Sequence, residues 1–162
     1  MVAVGLGLAG CNNGAAVPDN ATQVADTLSG DAKGVASANS RCAMFSQQEI
    51  AALAGEPVEA GANAAGGLGC QWKAADGSGL AIVTVAPAEY HNPTSAAPGF
   101  RPLADVGEDG FVAKEGAGWT AGARGSGKAV VVSIEGERTT EANVIALLKQ
   151  SVGKVAAGAA AN

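Results

Sequence analysis

Four groups in this sequence could do chemistry by type and spacing: three cysteines, a single histidine, a glycine-rich stretch ending in lysine, and a bunch of carboxylates. "GARGSGK", Gly122 to Lys128, has the Gly-x-x-x-x-Gly-Lys spacing of a phosphate-cradling loop. Such a loop needs a Ser or Thr after the Lys to hold magnesium, and a helix whose amino end faces the phosphates. Ala129 follows instead, then Val130, Val131 and Val132, so the stretch reads as a β-hairpin turn entering a strand. Asp105, Glu108 and Asp109 in "DVGEDG" offer hard oxygen ligands, but not at the spacing of an EF-hand loop, and read as a solvated turn. His91 is the only histidine, so any Ser-His-Asp arrangement would have to use it. It lies beside Tyr90 in a proline-bounded loop that runs on to Phe100, and long loops on rigid scaffolds often carry binding. Tyr90, His91 and Phe100 are therefore the candidate binding rim. There is no Cys-x-x-Cys and no Cys/His cluster suited to a metal. The expectation is a protein that is not an enzyme, with no catalytic residues, no metal and no cofactor.

Three cysteines leave one over once two have paired. Cys11 is set apart by what precedes it: an apolar stretch from Val2 to Leu8, then two small residues. Leu8-Ala9-Gly10-Cys11 resembles the lipobox of bacterial lipoproteins. That resemblance implies a diacylglyceryl thioether on Cys11, cleavage before it and an acylated amino terminus. Small side chains let a peptidase close on the backbone, a thiol is the nucleophile that takes the lipid, and several acyl chains anchor stably where a single one does not. The basic start of a secretion signal is absent, so residues 1–10 read as a truncated lipoprotein signal peptide. Asn12, rather than Asp, follows the cysteine, which by that family's rule favours the outer membrane in a host with two.

Residues 11–40 are Asn, Gly, Ala, Ser and Asp without apolar periodicity, the composition of a flexible tether reaching about 30 Å as a random coil. Asn20-Ala21-Thr22 spells a glycosylation sequon, read as coincidence in this setting. With Cys11 lipidated, Cys42 and Cys70 remain as a natural pair. A bridge between them closes about 28 residues and contributes roughly 3 to 4 kcal/mol by restricting the unfolded chain. An oxidising compartment permits it. The localisation expected is extracytoplasmic, anchored to a bacterial membrane at the cell surface or in the periplasm.

Charge and hydropathy narrow the partners. The net charge is −5, from 15 acidic and 10 basic residues with no Lys/Arg cluster, so the footprint of a nucleic-acid binder is missing. No apolar run approaches the roughly 20 residues that span a bilayer, so membrane attachment must come through lipid or a partner. Aromatic residues are only 4% of the chain, which leaves the core to Val, Ile, Leu and a few rings.

The elements that must position these groups are legible in outline. "FSQQEIAALAGEP" carries a capping box at Ser46 and Glu49, a hydrophobic staple at Phe45 and Ile50, and a stop at Gly55 and Pro57. "EAGANAAGGLG" is a loop by composition. "GCQWKA" alternates, "GLAIVTVAP" is β-branched, and "ADGSG" between them reads as a hairpin turn. Pro93, Pro98 and Pro102 mark a long irregular loop. "DGFVAKE", "GWTAGAR" and "KAVVVSIEGE" are further strands. In "TTEANVIALLKQSVG", Thr139 or Thr140 can cap a helix whose Val144, Leu147, Leu148 and Val152 share one face. Trp72, two residues after Cys70 on one strand, projects to the same side and is expected near the disulfide, and Trp119 is expected in the core. The fold class expected is α+β: an antiparallel sheet of about five strands, a short N-terminal helix and a C-terminal amphipathic helix packed on it. The domain spans residues 41–153, followed by a disordered tail at 154–162.

Taken together, "CAMFSQQEIAALAGEPV", "GCQWKAADGSGLAIVTVAP", "LADVGEDGFVA" and "GKAVVVSIEG" before a terminal helix resemble the DUF3558-type lipoproteins of actinobacteria, over about residues 42 to 152. The resemblance implies that Cys42 and Cys70 carry that family's disulfide and Trp72 its Cys-x-Trp tryptophan. It implies no activity. The function expected is a non-enzymatic binding or accessory domain of the cell envelope, tethered through Cys11, with an unknown envelope protein or small ligand as partner. The alternative is a carrier of a small apolar ligand or lipid between sheet and helix.

Overall fold

Helix α1, Gln47–Ala54, begins and ends where its punctuation predicts. The Glu49 amide donates to Ser46 Oγ at 3.2 Å and the Ser46 amide to Glu49 Oε2 at 2.7 Å, a reciprocal capping box. Gly55 ends the helix in the left-handed region, at a φ of 79°, where a side chain would be strained. The computed structural model describes residues 39–93 and 95–160. Cys11, the signal-like residues 1–10 and the tether up to residue 38 lie outside the described residues.

The strands are β1 (Ala62–Ala64), β2 (Gly69–Lys73), β3 (Leu80–Pro87), β4 (Arg101–Leu103), β5 (Glu108–Glu115), β6 (Gly118–Gly125) and β7 (Lys128–Glu135). They form one sheet in the order β1-β2-β3-β7-β6-β5-β4, every pair antiparallel. The sheet thus has seven strands rather than about five. The five expected from the sequence are β2, β3, β5, β6 and β7. The two additions are the edges, β1 and β4, each three residues long. Neither has a pattern of its own; each is extended by pairing with the longer strand beside it. Pro102 is tolerated in β4 because an edge strand leaves one side of the backbone unpaired.

Helix α2, Glu141–Ala160, lies across β6 and β7. Thr140 caps it, Oγ1 accepting the Asn143 amide at 3.3 Å. Val144, Leu147, Leu148 and Ser151 form its buried stripe. The helix also continues through 154–160, where composition pointed to a disordered tail. Alanine is the strongest helix former. Val155 packs against the core, and Lys154 reaches back to Glu49 at 2.9 Å.

The core lies between the first turns of α2 and the sheet. Val144, Leu147, Leu148, Val130 and Val132 are all fully buried, together with Val83, Val85, Ile134 and Val112. These side chains form the buried layer beneath that part of α2. The Cys42–Cys70 disulfide, with Cα atoms 5.0 Å apart, ties a 3₁₀ turn (Cys42–Met44) to β2. Trp72 is buried at the same end, its ring edge-on to Phe45 with centroids 6.4 Å apart. The backbone of Gly61 lies against both the Cys70 sulfur and the Trp72 indole, which places the tryptophan beside the bridge as expected. Trp119 is half-buried against the core.

Candidate functional site

The face of the sheet opposite α2 is the part of the molecule with surface to spare. Strand register sets Gln71 beside Ile82 and Ser133, and Thr84 beside Val131, all half-buried. Apolar and hydroxyl side chains therefore alternate on a surface that no described helix covers.

Residues 88–93 and 95–100 strap the β5 side of that face. They start with a 3₁₀ turn (Ala88–Tyr90) and run into β4. Phe111, on β5, is the anchor. Phe100 stacks on it with centroids 5.9 Å apart and planes 17° apart, and the His91 ring lies 5.7 Å away. Gly122 makes room on the neighbouring strand, since a methyl group there would stand 2.6 Å from Phe111 Cε1. His91 Nε2 lies 3.0 Å from the Asp109 carbonyl oxygen. A carbonyl can only accept, so Nε2 is the donor of this bond. Nδ1 is buried and has no partner among the described residues.

Beside this aromatic stack is a cavity of about 310 Å³, floored by Phe111, Ala113 and Thr120 and walled by Asn92, Ala97 and Glu115. Tyr90 does not line it. It stands at the start of the strap, 68% exposed. The three rim residues thus separate: His91 and Phe100 are brought together on Phe111, while Tyr90 faces solvent. The floor residues were not singled out in the sequence, although period-two alternation in "DGFVAKE" already puts Phe111 and Ala113 on one face and Val112 on the other.

The remaining motifs resolve into structure. "GARGSGK" is the β6–β7 hairpin, with Ser126 and Gly127 at φ of 51° and 70°, the positive pair that a tight hairpin turn demands. A strand follows it, so no helix end faces a phosphate. The "DVGEDG" carboxylates are met by cations: Arg124 pairs with Asp109 and approaches Glu108 at 3.8 Å, and Lys149 Nζ lies 2.6 Å from Asp105 Oδ2. The Lys149 hydrogen bond and charge hold the Asp105 carboxyl below its usual range. Among the described residues no group of three His, Cys, Asp or Glu side chains could hold a metal. His91 bonds to a backbone carbonyl rather than to a hydroxyl or carboxylate side chain. No described helix is long and apolar enough to cross a membrane.

Compared with known protein families, curated proteins and solved structures, the chain matches none.

Proposed function

We propose that this protein is a non-enzymatic binding domain of the bacterial cell envelope, held to a membrane by lipid on Cys11, that engages an envelope partner through the strapped outer face of its sheet. The observation that carries the reading is the strap itself. It is a proline-bounded loop seated on Phe111 that presents Tyr90 to solvent and walls a cavity with Asn92 and Ala97. Tyrosine and its aromatic neighbours are the residues that recognition surfaces favour, because they add large contact area at little cost in conformational freedom. The lipobox-like residues before Cys11 and the Cys42–Cys70 bridge support an oxidising, extracytoplasmic setting. Kinship with the DUF3558-type lipoproteins belongs to the same proposal, supported by the pairing of those cysteines and by Trp72 beside them.

The test is photocrosslinking in intact bacterial cells, with p-benzoylphenylalanine replacing Tyr90 in one variant and Glu137, in the β7–α2 connection, in another. A discrete envelope adduct from position 90 and none from 137 is the expected result. Equal, diffuse labelling from both positions would remove the strap from the proposal.

A further inference from the structure

A second cavity, of about 400 Å³, opens where the 3₁₀ turn, the β6–β7 hairpin and the last described turn of α2 meet. Its volume falls within the roughly 300–1,000 Å³ of small-molecule sites. Its lining is divided by chemistry. Met44, Val85 and Val155 give an apolar wall, of which Val85 is the most buried part. Every charged side chain on it is cationic: Arg41, Lys128 and Lys154. In a chain with 15 acids and 10 bases, that is the reverse of the average surface.

The three cations are not equivalent. Lys154 is already balanced, 2.9 Å from Glu49 Oε1 and with its ammonium 4.5 Å from the centre of the Phe45 ring. Arg41 and Lys128 have no carboxylate within ion-pair distance among the described residues. Against them stands the partial negative charge of the carbonyl end of α2, about half an elementary charge. Among the described residues, the two cations without an ion pair carry more charge than that helix end. The disulfide fixes this arrangement, because Arg41 precedes and Met44 ends the turn that Cys42 bolts to β2.

We propose that this cavity takes a single-chain anionic amphiphile, its carboxylate or phosphate head between Arg41 and Lys128 and its acyl chain along Met44, Val85 and Val155. The site is separate from the strapped face and does not rest on that reading. A neutral head would leave the cations without a partner, and a short anion would leave the apolar wall wet.

Calorimetric titration of the full chain with sodium dodecanoate below its micelle concentration tests it, with dodecyl phosphate and uncharged dodecyl glucoside as companions. Saturable one-to-one binding of both anions, weakened by salt, and none of the glucoside is expected. Lys128→Glu and Arg41→Gln should each weaken dodecanoate binding about tenfold, the worth of one charge-assisted contact. Val155→Trp should abolish it by filling the wall. Thermal unfolding of each variant confirms that it is folded. Two variants on different elements keep the test decisive should either misfold. Equal binding of the glucoside, or dodecanoate binding that neither charge variant weakens, would overturn the proposal. So would flotation with phosphatidylglycerol vesicles without uptake of monomeric dodecanoate, since the cations would then serve a bilayer surface.

Discussion

Glu49 does three things at once: it completes the capping box of α1, bonds the Ser46 hydroxyl and pairs with Lys154 on α2. The Lys154 hydrogen bond, then the Ser46 amide and hydroxyl, hold its carboxyl down to about 2 from an ordinary 4.5. A folded value below the unfolded one means that the stabilisation is complete above the unfolded value and is lost as pH falls toward the folded one. The side chain is 42% exposed, so water screens the pair and the shift overstates its worth. Glu49→Gln should therefore cost about 1 kcal/mol at neutral pH, the size of a helix cap plus an exposed ion pair. In urea denaturation the difference from wild type should fade toward about pH 2; a constant difference would deny the carboxylate its part. Gly61 makes a sharper prediction. A methyl group there would meet Cys70 Sγ at 2.7 Å and Trp72 Nε1 at 2.8 Å, and neither a bridged sulfur nor a buried indole can retreat. Gly61→Ala should lose roughly 1 to 3 kcal/mol by overpacking, read as a lower urea midpoint.

Elements with a local signature were legible. The capping box and Gly55 bounded α1 because caps are satisfied by residues three or four positions away, and β3 and β7 declared themselves through runs of Val and Ile. β1 and β4 did not, because "ANA" and "RPL" have neither alternation nor β-branched residues; only their neighbours across the sheet make them strands. The last turns of α2 were missed for a related reason: Ala and Gly without charge look like a frayed tail until Lys154 and Val155 find α1 and the core. The disulfide, by contrast, followed from counting. It crosses 28 residues and ties the entry turn of α1 to β2, so replacing Cys42 and Cys70 by Ser should cost about 3 to 4 kcal/mol through the greater freedom of the unfolded chain. The entry turn holding Arg41 and Met44 should also open before the sheet does. Hydrogen exchange resolved by residue reads both effects. Uniform loss of protection across the sheet and the turn together would show that the bridge does not hold the turn separately.

At the scale of the whole molecule, the sequence marked the loop from Tyr90 to Phe100 by its prolines but could not say which face of the sheet it would cover. That depends on the register of β4 on β5, which places Phe100 and Phe111 on one side and Leu103 with Val112 in the core. The cationic cavity was less legible still, since its lining comes from four separated segments that share no motif. What the sequence marked most strongly is Cys11, and its consequence belongs to the intact protein. If Leu8-Ala9-Gly10-Cys11 is processed as a lipobox, protein recovered from the membranes of a bacterial host should have the mass of a chain beginning at Cys11, plus diacylglycerol and an acyl group. That mass should gain the two hydrogens of the Cys42–Cys70 bridge on reduction. Cys11→Ser should move the protein from the membrane fraction to the soluble one without lowering the stability of the folded domain, because Cys42 and Cys70 still pair. Several acyl chains hold a protein to a bilayer where a single one does not, so partial acylation should show as partial release. An unmodified chain in the cytosol, with three free thiols, would place the protein in a reducing compartment and remove the envelope from the proposed function altogether.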